Sequence, residues 1–307
     1  MSHGRVLIAD PVTVKEKIRR IVGEGPDHLQ VMTDFDQTLT KHHYTDGKKA
    51  DSSFRAIQDS VYIPESVKKV TRQLFEKYHP IELDTEISRQ EKEKHMIAWW
   101  EGNMELFKEL GIRKDDFGRI VLESRLLFRY GILDFLSHCH RMNLPLYIVS
   151  GGISEIIEAT FYAVLHSGES ADPDLKDFWH KRVQVLSNSF IYSDSDVGID
   201  YSKPLVHILN KEQIIYDVQA DRPFKRNVII MGDILEDVKM VREHRHEVHL
   251  KIGFLNDAVA HAHLKEEFMR TFDIVVEGDG SLEVVNHILK RVMGAPIECD
   301  DTLKAVL

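Results

Sequence analysis

The stretch "VMTDFDQTLT", Val31 to Thr40, runs from apolar residues straight into Asp34, with Asp36 and then Thr38 at two-residue steps. A carboxylate presented at the end of a buried strand can attack a phosphoryl group and form an aspartyl-phosphate. A second carboxylate two residues on can protonate the leaving oxygen and later activate water. The same residues also suit a strand followed by an Asx turn, so the pattern gains meaning only in company. "LPLYIVSGG" supplies some: Ser150 ends an apolar run, Gly151 and Gly152 follow, and a helical pattern lies beyond, where a hydroxyl and backbone N–H groups can hold phosphate oxygens at a helix N-terminus. "VIIMGDILED" supplies more, with Asp233 ending another run and Asp237 four residues later. Asp34 and Asp233 could share one Mg2+, an oxygen-seeking cation that needs only one or two protein carboxylates beside phosphate and water. Ser-Gly-Gly alone is a turn and Gly-Asp alone a helix cap. In order, at three strand ends, they describe phosphoryl chemistry. Such chemistry wants a lysine as a point charge, and two are on offer, Lys203 in "SKP" and Lys211 in "LVHILNK".

The elements that must position these groups are legible as Val- and Ile-rich runs near 29–34, 144–150, 183–188, 227–233, 248–255 and 272–278. Helical patterns such as "ISEIIEATFYAVLHS" and "SLEVVNHILKRVMG" separate them, which argues for a parallel sheet covered on both faces. Reactive groups in such sheets gather beyond the carboxyl ends of the strands. From about 46 to 126 the chain turns polar and helical without a comparable strand run. It reads as a helical insertion, too long for an ordinary loop. "EGDG" at 277–280 reads as a turn before the last helix.

With 307 residues the chain fits one core domain plus an elaboration. Its 43% hydrophobic and 29% charged residues are ordinary for a soluble globular protein. No window approaches the roughly 18 apolar residues of a membrane span, and "MSHGRVLIADPVTVKEKIRR" lacks signal-peptide architecture. Cys139 and Cys299 imply no disulfide framework, and Cys139, within a helical pattern, is expected to be a small buried hydrophobe. A cytoplasmic monomer is the expectation. A net charge of -10 without a basic patch speaks against a nucleic-acid polymer as partner, while a small anionic substrate stays open because a bound cation and one lysine can invert the local field. His244, His246 and His249 in "REHRHEVHL" have no acidic or thiolate pattern to complete a metal site and read as a polar turn.

The ordered set of Asp-x-Asp-x-Thr, strand-end Ser, Lys and Gly-Asp-x3-Asp resembles the haloacid dehalogenase superfamily of phosphotransferases. More closely, "TDFDQTLT", "YHPIELD", "EKHMIAWW", "IVSGGISEIIE", "VLSN", "LVHILNK", "MGDILEDVKM" and "KIGFLNDAV" resemble the cytosolic 5′-nucleotidase III family, over nearly the whole chain. The resemblance implies a three-layer Rossmann-like core, residues 1–45 and 127–307, with a helical cap at 46–126. It implies that Asp34 is nucleophile and Mg2+ ligand, and that Asp36 is acid/base with its backbone carbonyl on the metal. It further implies that Asp233 is the third protein ligand, supported by Asp237, and that Ser150 and the backbone of Gly151 contact phosphate. Gly151 departs from the family's usual alanine but keeps its N–H. The "LVHILNK" match favours Lys211 as the lysine, since Lys203 precedes a proline in a turn.

For the base, the resemblance points to Glu82 in "PIELD", Phe54, the pair Trp99 and Trp100, and Asn103, where the family often carries serine. A carboxylate suits an exocyclic amine or a cationic ring, and aromatic faces suit a flat cation. One of the adjacent tryptophans is expected to pack in a helix core instead. The implied activity is Mg2+-dependent hydrolysis of pyrimidine or 7-methylguanosine 5′-monophosphates. The alternatives are transfer of the phosphate to a second nucleoside, hydrolysis of another small phosphate ester, and catalytically silent binding.

Overall fold

A computed structural model describes residues 4–84, 86–168, 174–219, 224–296, 301–304 and 306–307 of the protein. Cys299 lies outside them. In chain order the elements are β1 (Arg5–Ile8), α1 (Pro11–Glu24), β2 (Leu29–Thr33), α2 (Ser53–Gln58), α3 (Glu65–Leu83), α4 (Arg89–Glu109), α5 (Asp116–Glu123) and α6 (Ile132–Arg141). There follow β3 (Leu146–Ile153), α7 (Ser154–His166), α8 (Leu175–Arg182), β4 (Val183–Asn188), β5 (Phe190–Tyr192), β6 (Gly198–Tyr201) and α9 (Lys211–Val218). The chain continues with β7 (Asn227–Gly232), β8 (Val248–Leu255), α10 (Lys265–Thr271), β9 (Ile274–Glu277), α11 (Glu283–Val292) and a one-turn α12 (Asp301–Lys304).

Seven of the described strands form one sheet in the order β1-β9-β8-β7-β2-β3-β4. All its pairings are parallel except that of β1 with β9. All six apolar runs seen in the sequence are strands of this sheet. The antiparallel β1 is an addition, since a four-residue run at a sheet edge carries little periodic signal. Alternation along each strand builds two cores, because successive side chains point to opposite faces. Val31, Ile229 and Ile252 pack with Ile18 and Ile21 of α1, Phe135 of α6 and Ile288 of α11. Met32, Val228 and Ile230 pack the other way, with Ile215 of α9 and Met240. The result is a three-layer α/β/α arrangement with β2 near its middle. Cys139 is fully buried on the first face, as expected.

After β2 the chain leaves the sheet and returns beside itself, with an antiparallel bridge between Thr40 and Phe128. Between those points α2, α3, α4 and α5 bury a separate apolar cluster around Ile57, Met104, Phe107, Phe117 and Ile120, shared with Ile153, Ile156 and Phe190. The β5–β6 hairpin, which the sequence reading does not contain, receives this insertion. Gly198 N–H donates to the Ile112 carbonyl at 2.9 Å, and the Tyr201 hydroxyl to Glu105 Oε1 at 2.9 Å. No helix among the described residues is long and apolar enough to cross a membrane.

Candidate active site

β2 and β7 are hydrogen-bonded neighbours, with Thr33 in register with Met231, so the residues just past their ends emerge side by side. The Asp34 N–H donates to the Met231 carbonyl at 3.0 Å. This adjacency brings Asp34, Asp233 and Asp237 together, each offering a carboxylate oxygen within 4.8 Å of the others. The Asp233–Asp237 spacing has a specific cause. A 3-10 turn at Leu235–Met240 folds Asp237 back beneath Asp233, where its Oδ2 accepts the N–H groups of Asp233 at 3.1 Å and Ile234 at 3.2 Å. Gly232 makes room: a Cβ there would lie 2.2 Å from the Asp237 Cβ. The Thr38 hydroxyl donates to Asp233 Oδ1 at 3.3 Å.

Lys211, the first residue of α9, reaches into this cluster and donates to Asp34 Oδ1 at 2.6 Å and Asp237 Oδ1 at 2.8 Å. Burial works against its charge, but Asp237 and Asp34 outweigh it and hold the ammonium above its ordinary pKa. Lys203 stays on the surface beside Glu101. Burial pushes the Asp34 carboxyl up to about 7 against the pull of Lys211, with Asp237 adding to the rise. Asp233 is driven up as well, by burial first and then by Asp34 and Asp237. Three carboxylates around one ammonium, with Asp34 and Asp237 buried on it and Asp233 half-buried beside them, carry more negative charge than such a site tolerates uncompensated. All-oxygen donors with surplus negative charge could hold a hard metal ion.

Asp36 takes a different partner. Its Oδ1 accepts the Ser53 N–H at 2.6 Å and its Oδ2 accepts the Ser53 hydroxyl at 2.5 Å, so the start of α2 grips it. Burial pushes the Asp36 carboxyl up to about 6, and the two Ser53 bonds oppose the rise. A hydroxyl can donate to the carboxylate or accept from the acid, so Ser53 suits both protonation states. The "ADSSF" stretch carried a signal for it, a helix start two residues before Phe54, but nothing tied it to Asp36.

Ser150 is buried and its Oγ accepts the Gly152 N–H at 3.0 Å. The helix expected beyond the glycines is α7, and the glycines themselves belong to the strand. β3 continues through Gly151 and Gly152 to Ile153 with a register shift against β4, and α7 starts at Ser154. The glycines permit an irregular extended segment at the sheet's rim, where bulges re-aim the backbone. Asn188, quoted above only within "VLSN", donates to the carbonyls of Gly151 at 2.8 Å and Val206 at 2.9 Å and thereby pins this segment. Arg129 is the other residue the sequence reading lacks. It is buried and donates to the backbone carbonyls of Thr38 and Gly280 at 2.7 and 2.6 Å, and also to that of Gln37.

Of the residues singled out for the base, Trp100 and Phe54 meet edge to face at 5.5 Å, and Trp100 lies close to Gly151. Trp99 turns away, stacked on Tyr78 at 6.2 Å and edge-on to Phe75 at 5.9 Å, between α4 and α3. Consecutive helix positions do not share a face, so the pair divides between two environments. Asn103 is buried and its side-chain amide donates to the Trp99 carbonyl at 2.9 Å. Burial pushes the Glu82 carboxyl up to about 7, with Lys92 opposing and Glu236 adding. His244, His246 and His249 join no group of metal-ligating side chains among the described residues. Asp279, in the expected "EGDG" turn, receives the N–H groups of His42 and His43.

The model of the pyrimidine 5′-nucleotidase (UMPH-1) family matches residues 37–293. The chain is 32% identical to the mouse 7-methylguanosine phosphate-specific 5′-nucleotidase over 297 residues, covering 95% of this chain and 94% of that protein. Among solved structures it resembles cytosolic 5′-nucleotidase IIIB bound to cytidine, with TM-score 0.77 and 27% identity over 96% of this chain and 95% of that one. A haloacid dehalogenase family hydrolase from Salmonella enterica serovar Typhi shares the fold, with TM-score 0.50 and 14% identity over 84% of this chain and 70% of that one. The chain belongs to the pyrimidine 5′-nucleotidase (UMPH-1) family, and with it to the phosphoric monoester hydrolases.

Proposed function

We propose that this protein is a cytoplasmic, Mg2+-dependent 5′-nucleotidase that hydrolyses pyrimidine or 7-methylguanosine 5′-monophosphates through an aspartyl-phosphate on Asp34. The observation that carries the reading is the meeting of Asp34, Lys211, Asp233 and Asp237 in one cluster at the strand ends, with Asp36 beside it. Asp34, Asp233 and the backbone carbonyl of Asp36 would hold Mg2+, which supplies neutralisation of charge on the phosphoryl oxygens. Asp34 Oδ forms a bond to phosphorus as the bond from phosphorus to the 5′ oxygen breaks, and Asp36 gives that oxygen its proton. Water then attacks the aspartyl-phosphate while Asp36 takes a proton from it, releasing phosphate and restoring Asp34. Lys211 holds charge on the transferring group, and Ser150 with the Gly151 N–H orients it. Positioning and electrostatics supply most of the rate in such transfers.

Glu82 with Phe54 and Trp100 would select the base. The cytidine seen in cytosolic 5′-nucleotidase IIIB and the substrate in the mouse relative's name both support a base with an amine edge or a cationic ring. The test is phosphate release across the nucleoside monophosphates with Mg2+, comparing wild type with Asp34→Asn. We expect cytidine or 7-methylguanosine monophosphate to be hydrolysed in preference to adenosine monophosphate, with turnover lost both on chelation and in the variant. Near wild-type turnover by a folded Asp34→Asn protein would overturn the mechanism.

A further inference from the structure

The turn after Thr40 carries a second set of metal-ligating side chains that phosphate transfer does not use. His42 lies at a bend, and its ring meets that of His43 at 4.6 Å between centroids with 66° between planes. Consecutive residues of an extended strand would point to opposite faces. The bend brings both rings to one side. Asp257, in the loop after β8, completes the set: one ring nitrogen of each histidine and one Asp257 carboxylate oxygen lie within 4.8 Å of one another.

The surroundings hold this set in shape. Asp279 accepts the His42 N–H at 2.8 Å and the His43 N–H at 3.0 Å, which fixes the turn. His42 Nδ1 pairs with the Gln37 side-chain carbonyl oxygen. With Nδ1 protonated toward that oxygen, Nε2 keeps its lone pair, which is how outer partners orient ligating imidazoles. Asp257 Oδ1 accepts the Ala260 N–H at 2.9 Å, which fixes its carboxylate in the loop after β8.

We propose that His42, His43 and Asp257 bind one divalent transition-metal ion of the zinc class, at a site separate from the carboxylate cluster of Asp34 and Asp233. Two imidazoles and one carboxylate suit such an ion and not Mg2+, which prefers oxygen alone. Three protein ligands leave a coordination position for water. The ion joins the turn at 42–43 to the loop at 256–257. Both segments border Gln37, whose carbonyl accepts the Asn256 side-chain N–H at 2.9 Å, so occupancy braces the loop that carries Asp34 and Asp36.

The experiment titrates tag-free full-length protein with Co2+ in excess Mg2+, reading bound metal by dialysis and the visible absorption of Co2+. Wild type should take up one Co2+ per chain with a visible band. His43→Ala and Asp257→Asn should weaken binding at least tenfold while keeping the wild-type thermal midpoint in Mg2+ alone, and the His42→Ala/His43→Ala pair should abolish it. Asp233→Asn should still bind, which separates this site from the carboxylate cluster and from any failure of the nucleotidase reading. Equal Co2+ binding by His43→Ala, Asp257→Asn and wild type overturns the proposal, as does a wild type that binds none or whose binding is lost in Asp233→Asn.

Discussion

At the strand ends, each carboxylate of the candidate phosphate site is matched to a group that fixes it: Asp34 to Lys211, Asp237 to Lys211 and two N–H groups, Asp36 to Ser53, Asp233 to the Thr38 hydroxyl. In the helical insertion the polar groups are less settled. Trp99 Nε1 and Asn103 Oδ1 are buried with no partner among the described residues. Burial holds Glu82 near the middle of the physiological pH range. The first region is organised before substrate arrives, because electrostatic help to a transition state costs least when no dipole must turn. The second retains unmet hydrogen-bonding capacity at Asn103 Oδ1, at about 1–3 kcal/mol per buried group, which a ligand's polar edge can satisfy, whereas Trp99 Nε1 lies away from the rim between α3 and α4. On the proposed function, chemistry and selectivity then rest on different physical grounds, and substitutions should separate them.

The largest separation is expected at Asp36. Asp36→Asn should lower turnover by about 10²- to 10⁴-fold on every substrate, since it removes the proton carrier without touching the base. Ser53→Ala should act in the same uniform way but less, by roughly ten- to a hundred-fold, the worth of one hydrogen bond to a charged group. Specificity constants on cytidine monophosphate and on a generic phosphate ester check both. If Ser53→Ala changes the ranking of bases, the two regions are not separable. Glu82→Ala should do the reverse, collapsing preference among bases by roughly ten- to a hundred-fold while generic ester hydrolysis survives. A variant that keeps the wild-type ranking removes Glu82 from base selection. The tryptophans sharpen the boundary within the insertion. Trp99→Ala should cost about 1–3 kcal/mol of stability, as lost packing of a half-buried side chain between α3 and α4, with selectivity unchanged. Trp100→Ala should instead raise KM for nucleotides, and melting curves paired with kinetics distinguish the two.

The smallest effect concerns pH. Burial pushes Glu155 of α7 up to about 7, while the Phe190 N–H donating to Oε1 at 2.8 Å opposes the rise. Its folded pKa exceeds the unfolded one, so the folded chain binds the proton more tightly. The stability this contributes is present below about pH 4.5 and is lost as pH rises through about 7, by up to roughly 3 kcal/mol. Glu155→Gln should flatten that slope in denaturant titrations between those pH values. An unchanged slope would mean that Glu155 titrates as in the unfolded chain.

The strand ends were legible because a parallel sheet translates sequence directly into position. Once six apolar runs are strands, the residues just past them must assemble at one rim, and Asp34 and Asp233 do so without further information. Lys211 was reachable through its motif, and its direction into the cluster needed α9. The insertion obeys no such rule. Which of Trp99 and Trp100 faces the rim depends on how α4 lies against α3, and nothing in "IAWWEG" encodes that angle. Ser53 and Arg129 escaped notice for a related reason: each acts on groups distant in sequence, and neither is flagged by its neighbours. The β5–β6 hairpin and β1 are short, so their period-2 signal has little length in which to appear. The bulge after Ser150 was invisible because Gly-Gly fits a bulged strand as well as a turn.

Gly152 lies where the rim of the sheet passes α2, and a Cβ on it would fall 1.9 Å from the Ser53 hydroxyl oxygen and 3.2 Å from Asp36 Oδ2. A methyl group at position 152 and a hydroxyl at position 53 therefore exclude each other. For segment exchange, this places the workable splice point inside the first helix of the insertion and not at its start. Ser52, Ser53 and Phe54 belong with the sheet when helices from a relative are grafted. A donor segment that brings a bulkier residue to position 53 would push against Gly152 and Asp36 together. The two positions have to be inherited as a unit, although they lie on different elements and far apart along the chain.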